Sequence, residues 1–516
     1  MDYQMRDTAP MKIGLEWEAL LPQQRQSAVL TRRGRRSNWT GTRWLIRCIL
    51  VFAWVWYSHH IWSAEQSTMD SFYANITSPQ NICPAVDGPA ISHSGYIGLK
   101  GDSNDTPKRS FFWYFEAQHD AETAPIIMTI GGGPGSSGMM NPMWAQGPCL
   151  SAENGTSVPN PNRWTEHFNL LALDHPIGVG FSYGTMVNNS RDAAMDSYDF
   201  LQRFFRLYPH LSRNKVILSG GSYGGTYVPH IATVIHQQNL AVVAGRGQSG
   251  AIHINLESMM ISNPMSDATS HFSWVLNRLC HGPVPMYNAS TCAAKFQDLP
   301  KCLDSIRFAE QVSGWDVERR SAADKICESL RDGDTHGIVR EDIRKTCFSE
   351  DPLGCLPPAF RWTKAFFDRP DVKDALGVPE HINFTSLSNP VSVEFAKYGD
   401  IIQSAYLLYG PLLKAGIRLL HYVGAQDANC APAGIMSFLK LLQSPFQDKF
   451  LRTPDVPWPT AEDATVRVVG KGAGNMTWIL IDGGGHFVAH DQPELVKSII
   501  EHWVENVPFF ELAIPE

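Results

Sequence analysis

The chain of 516 residues is sparing with charge, since only 18% of it is Asp, Glu, Lys or Arg. With 43% of the residues hydrophobic, that excludes disorder for the bulk of the chain. Apolar runs are short: Cys48–Tyr57 is ten residues, half of the roughly 20 that a membrane-spanning helix needs. There is no internal repeat and no low-complexity tract, which excludes solenoids and biased linkers. The clustered cysteines carry no Cys-x-x-Cys pair and no neighbouring His-x-x-x-His, so the sequence offers no metal site and no metal is expected. No Gly-Lys-Ser/Thr follows the Gly-rich segments, which excludes a phosphate cradle. A net charge of −8 excludes nucleic acid as a partner of the body. No cofactor is expected either. What is present, 41 Gly, 34 Pro and 15 Trp, describes a loop-rich globular enzyme. A chain of this length needs no disulfide or metal merely to fold.

The charge is unevenly placed. Residues 1–47 hold nine Lys/Arg and four Asp/Glu, a net of +5, so the remainder carries −8 − 5 = −13. From Ala19 to Arg47 there are seven Arg and no acid. The apolar run follows directly. A basic flank before an apolar segment is a signal anchor or a signal peptide. The leader is long for a signal peptide, and Trp62-Ser63-Ala64 is a poor cleavage site. The favoured reading is a basic cytosolic leader at 1–47 and a membrane anchor at 48–64, with the body luminal or extracellular. A cleaved signal giving a secreted or vacuolar protein competes with it, and a buried core helix comes third.

Cysteine and asparagine agree with that compartment. Cys48 lies in the apolar run, and six of the other nine cysteines fall between positions 280 and 355. Spacings such as Cys280…Cys292 and Cys347…Cys355 suit small disulfide-closed loops. Glycosylation sequons stand at Asn75, Asn104, Asn154, Asn188, Asn288, Asn383 and Asn475.

After residue 70, short apolar runs alternate with helix-like segments, as in an α/β protein with a sheet covered on both faces. Strands are expected at 126–130, 170–173, 216–218, 259–261, 419–423 and 478–481. Helices are expected at 191–207, 224–238, 411–415 and 493–504. The stretch 265–360 is charged and Cys-rich and reads as a lid inserted into one hydrolase domain, which spans 70–264 and 361–510.

The chemistry concentrates in three places. Lys215–Gly225 is strand, Gly-x-Ser-x-Gly, then helix, the context a nucleophile elbow requires, with Ser222 at its tip. A serine nucleophile needs a base and an acid that orients it. His486 sits in a glycine turn directly after the strand at 478–481, and Asp427 ends the strand at 419–423. Asp482 is the competing acid, but it lies too near His486 along the chain to come from a separate loop. The loop Gly131-Gly132-Gly133-Pro134-Gly135, after the first central strand, is placed to complete an oxyanion hole.

These segments together resemble the serine carboxypeptidase family, its fungal branch in particular, over roughly Cys83 to Pro508. The match includes Gly132–Ser137, Gly147-Pro148-Cys149, Ser222-Tyr223-Gly224-Gly225, Asp342-Ile343-Arg344-Lys345, Asp427…Cys430 and Gly484-Gly485-His486. The resemblance implies an α/β-hydrolase fold with a disulfide-rich lid. It implies Ser222, Asp427 and His486 as catalytic triad, the N–H groups of Gly133 and Tyr223 as oxyanion hole, and Cys430 as a free thiol near the site. It also implies the pairs Cys83–Cys149, Cys280–Cys292, Cys302–Cys327 and Cys347–Cys355.

The substrate half departs from the family pattern. Where members hold the peptide's terminal carboxylate with an Asn and two Glu, this chain has Gly131, Ala145 and Gly221. A carboxylate entering a closed site without such partners meets a desolvation cost of several kcal/mol. Three functions follow from this. The first is a carboxypeptidase releasing C-terminal residues from peptides. The second is a related acyltransferase or esterase acting on a small acyl substrate or specialised metabolite. The third is a non-catalytic binding homologue. Oligomeric state is not legible.

Overall fold

The protein is described from a computed structural model covering residues 71–510, apart from 87, 350–353 and 460. The basic leader and the anchor expected at 48–64 lie outside the described residues. Among the described residues, no helix is long and apolar enough to cross a membrane.

One 12-stranded sheet organises the chain. Its strands are β1 (Ala74–Thr77), β2 (Ser92–Gly98), β3 (Lys108–Phe115), β4 (Ile126–Ile130), β5 (Asn169–Leu173), β6 (Val216–Gly221), β7 (Leu256–Ser262), β8 (Arg418–Gly424), β9 (Val456–Trp458), β10 (Ala461–Val469) and β11 (Met476–Ile481). The short Tyr183–Gly184 strand pairs with β3 at the side. The order across the sheet is β1-β2-β3-β5-β4-β6-β7-β8-β11-β10-β9. From β5 to β11 every pairing is parallel. Antiparallel ribbons complete both edges, β1–β2–β3 on one side and β10–β9 on the other.

The parallel strands are largely apolar because both faces are covered. Side chains alternate between two cores with the period of two that a strand imposes. Ile126, Met128 and Ile130 enter one core and Ile127 the other; Leu171 and Leu173 likewise oppose Leu170 and Ala172. Helices α1 (Ser190–Leu207) and α2 (Gly224–Val243) cover the first face through Phe200, Phe204, Tyr227 and Ile231. The C-terminal helix Pro493–Glu505 covers the second through Val496, Ile499, Ile500 and Trp503. Each such side chain contributes roughly 1.5–3 kcal/mol on burial.

Between β7 and β8 the chain leaves the sheet. Helices α3 (Ala268–His281), α4 (Ala289–Glu310) and α5 (Val317–Glu328) are followed by a hairpin at 338–346 and build a separate small core around Phe272, Leu279, Ile306 and Ile343. Each helix starts on an Asp or Asn whose side chain accepts from a first-turn amide: Asp267, Asn288 and Asp316. Cys280–Cys292 and Cys302–Cys327 staple α3, α4 and α5 together, and Cys347–Cys355 closes the loop after the hairpin. Cys83–Cys149 lies outside this lid, and Cys430 is free and buried. Helix α6 (Ala359–Phe367) already returns to the main core through Phe360, Phe366 and Phe367.

Five neighbouring parallel strands, β4, β6, β7, β8 and β11, end at the same edge of the sheet. Ligand sites in open α/β sheets form at that edge, beyond the carboxyl ends of the strands.

Candidate active site

The turn from β6 into α2 puts Ser222 in a left-handed backbone conformation, φ +58°. A non-Gly residue there is strained, a cost met at functional sites. The turn is tight enough to restrict its neighbours. A Cβ on Gly225 would stand 2.6 Å from Pro264 Cβ and 2.7 Å from the Met265 nitrogen. The Gly131–Gly133 loop after β4 passes directly over the turn. A Cβ on Gly132 would lie 2.9 Å from Ser222 Cβ and 3.0 Å from the Tyr223 nitrogen. Gly133 has φ +108°, open only to glycine at low cost.

Asp427, fully buried, follows β8. Its Oδ2 accepts from His486 Nδ1 at 2.7 Å and from Asn263 Nδ2 at 2.7 Å. Its Oδ1 accepts from the backbone N–H groups of Asn429 at 2.7 Å and Cys430 at 3.0 Å. His486, in the glycine turn after β11, is buried too. Burial alone would lower its pKa. The charge and hydrogen bond of Asp427, with Glu341 behind them, outweigh burial and hold it above the ordinary imidazole value. Burial, reinforced by the charge of Asp427, pushes the pKa of the Cys430 thiol well up and keeps it neutral.

The donor atoms of Asp427, Cys430 and His486 lie within 4.8 Å of one another, close enough to embrace a metal ion. The chemistry of the set argues otherwise. Both Asp427 oxygens are already saturated with donors, and a metal-binding cysteine must be a thiolate.

The lid supports these loops from above. In the 338–346 hairpin, the Arg340 carbonyl accepts from Ala428 N at 2.8 Å and the Glu341 carbonyl from His486 N at 2.6 Å. Ile343 N donates to the Gln426 carbonyl at 3.1 Å. One hairpin thus holds both the acid loop and the histidine loop.

Ser222 and His486 face a common cavity of about 490 Å³, roofed by Asp324, Glu328 and Arg331 from the end of α5 and its following turn. Arg331 donates to Glu328 at 3.1 Å and to Asn429 at 2.7 Å. Burial pushes the Asp324 carboxyl up to about 7, helped by the neighbouring charge of Glu328.

The serine carboxypeptidase family model matches residues 84–506. The chain belongs to the serine carboxypeptidase family. It is 28% identical over 431 residues to a vacuolar serine-type carboxypeptidase of Saccharomyces cerevisiae, covering 82% of this chain and 81% of that one. It is 29% identical to a carboxypeptidase Y homologue of Ajellomyces capsulatus, covering 80% and 73%. The structure of Kex1, a prohormone-processing carboxypeptidase of Saccharomyces cerevisiae, superposes with a TM-score of 0.68 at 20% identity, over 83% of this chain and 94% of that one. This family member is therefore a serine-type carboxypeptidase hydrolase with an α/β-hydrolase fold.

The positions where family members carry their carboxylate clamp, Gly131, Ala145 and Gly221, all line the cavity, as does Tyr223. Several residues at the site are not legible in the sequence. Asn263 has one signal, an Asn-Pro directly after an apolar strand, and it takes φ +41°. Glu341, Asp324 and Arg331 have none, because they reach the cavity only through tertiary folding of the lid; Asn429 lies in the loop after β8, two residues past Asp427, and reaches the cavity with it. Among the sequons, Asn75, Asn104, Asn154, Asn288 and Asn383 are exposed, whereas Asn188 and Asn475 are half-buried.

Proposed function

We propose that Ser222, His486 and Asp427 act as nucleophile, base and orienting acid in releasing C-terminal residues from peptides through an acyl-enzyme. The observation that carries this reading is the saturated Asp427, whose Oδ2 accepts from His486 Nδ1 at 2.7 Å beside the strained Ser222 turn. His486 takes the Ser222 proton as the hydroxyl attacks the scissile carbonyl, then delivers it to the departing amine. Asp427 fixes the tautomer and stabilises the imidazolium. The N–H groups of Gly133 and Tyr223 receive the developing oxyanion. Water repeats the sequence on the acyl-enzyme. The four disulfides and five exposed sequons support an oxidising compartment of the secretory route.

The test is release of the terminal residue from N-acyl dipeptides as a function of pH. His486 must be neutral to act, and its pKa is raised. Activity should therefore rise with pH along one limb whose midpoint lies above the ordinary imidazole value of about 6.5. His486→Ala should lose roughly 10⁶-fold in kcat. Activity that falls steeply from pH 5 to pH 7 would contradict the assignment.

A further inference from the structure

The end of the cavity built by Gly131, Ala145 and Gly221 is not merely stripped of side chains. At Gly131 an added Cβ would stand 2.0 Å from the Ser136 carbonyl oxygen, so the present turn has no room for any side chain there. Neutral hydrogen-bonding groups occupy the surroundings instead. Asn141 donates to Thr129 Oγ1 at 2.8 Å and to the Ile130 carbonyl at 3.0 Å, which sets its amide beside Gly131. Gln146, next to Ala145, is only 6% exposed, and its Oε1 is buried without a partner. Ser262 Oγ lies 2.6 Å from where a Cβ on Gly221 would be, and Tyr422 and Ser219 line the cavity with it. All these residues except Thr129 line the cavity.

The field of the cavity opposes an anion. Arg331 is the one Lys or Arg among its described lining residues, and Glu328 and Asn429 already hold it. Asp324, Glu328 and Glu341 outnumber it. A buried polar atom such as Gln146 Oε1, left alone, costs the desolvation of an unmade hydrogen bond; turning that side chain, which lines the cavity, toward a ligand N–H removes the cost.

We propose that Asn141 and Gln146 form a neutral end-group site, and that the leaving group enters it through an uncharged hydrogen-bonding terminus, a carboxamide in place of a carboxylate. This rests on the acyl-enzyme reading above and names its substrate class. The Ser222 oxygen bonds to the scissile carbonyl carbon and the C–N bond breaks. The Ser222 proton passes through His486 to the nitrogen, and an amino-acid amide departs. Water then splits the acyl ester, giving the N-acyl acid and restoring the serine.

The experiment compares N-acyl dipeptides that differ only at the terminus, carboxylate or carboxamide, on the full chain, with p-nitrophenyl acetate as a substrate lacking either group. The carboxamide should have the higher kcat/KM, by tenfold or more at pH 7. Gln146→Ala and, separately, Asn141→Gly should each pull that ratio toward one, and Ala145→Glu should favour the carboxylate. The ratio is internal to each preparation, so a partly folded variant still reports it. Faster cleavage of the carboxylate at every pH from 5 to 8 would overturn the proposal. So would turnover of p-nitrophenyl acetate with neither dipeptide cleaved. If p-nitrophenyl acetate is not turned over either, the triad reading itself fails, and the end-group site with it.

Discussion

At the residue scale, the centre of the site is a carboxylate with no unfilled acceptor direction. Asp427 accepts four hydrogen bonds, two from the backbone after it, one from His486 and one from Asn263. A carboxylate so held keeps His486 in one tautomer. Asn263→Ala removes one donor without touching the triad. A hydrogen bond to a charged group contributes about 1.5–3 kcal/mol. Steady-state kinetics should accordingly show kcat reduced by about ten- to a hundredfold with KM little changed. The three candidate triad residues were readable because each sits where a strand runs into glycine. Asn263 was not, because its role comes from β7 and β8 lying side by side, which sequence spacing does not reveal.

At the element scale, the β6–Ser222–α2 unit depends on close backbone approach. A methyl at Gly225 would collide with Pro264 and the Met265 nitrogen, so Gly225→Ala should destabilise the fold by about 1–3 kcal/mol, as overpacking does. Thermal denaturation checks this, and an unchanged midpoint would contradict it. The same unit shows which elements a sequence discloses. Strands β4 to β8 and β11 are apolar on both faces and stand out as short runs. Strand β2, Ser-His-Ser-Gly-Tyr-Ile-Gly, carries turn-like residues and is a strand only because β1 and β3 pair with it. The lid helices escaped notice for a related reason. In α4 and α5 the buried positions are few and mix disulfide cysteines with Ile306, Ala309 and Ala323 and with the polar Arg320 and Asp324, so helical periodicity is faint; α3 has an apolar stripe of Phe272, Val275, Leu276 and Leu279, but its Asp cap resembles a loop residue.

At the scale of the whole molecule, the site exists only when distant segments meet. Ser222 comes from β6, Asp427 from β8 and His486 from β11, and the 338–346 hairpin of the lid fastens the last two by backbone hydrogen bonds. The lid also roofs the cavity with Asp324, Glu328 and Arg331. This explains why the candidate reacting groups and the cavity roof differ in legibility. The candidate reacting groups sit on loops of the sheet, whose order is readable. The roof sits on an insertion whose placement only the fold determines. It also means that the nucleophilicity proposed for Ser222 is a property of the assembled chain and not of the Gly-x-Ser-x-Gly segment. The most direct test is labelling of the folded protein with a fluorophosphonate, followed by mapping of the modified residue. One phosphonyl group is expected on Ser222, lost in Ser222→Ala and lost when the wild type is unfolded in urea before exposure. Absence of label on the folded wild type, or labelling that survives Ser222→Ala, would contradict it.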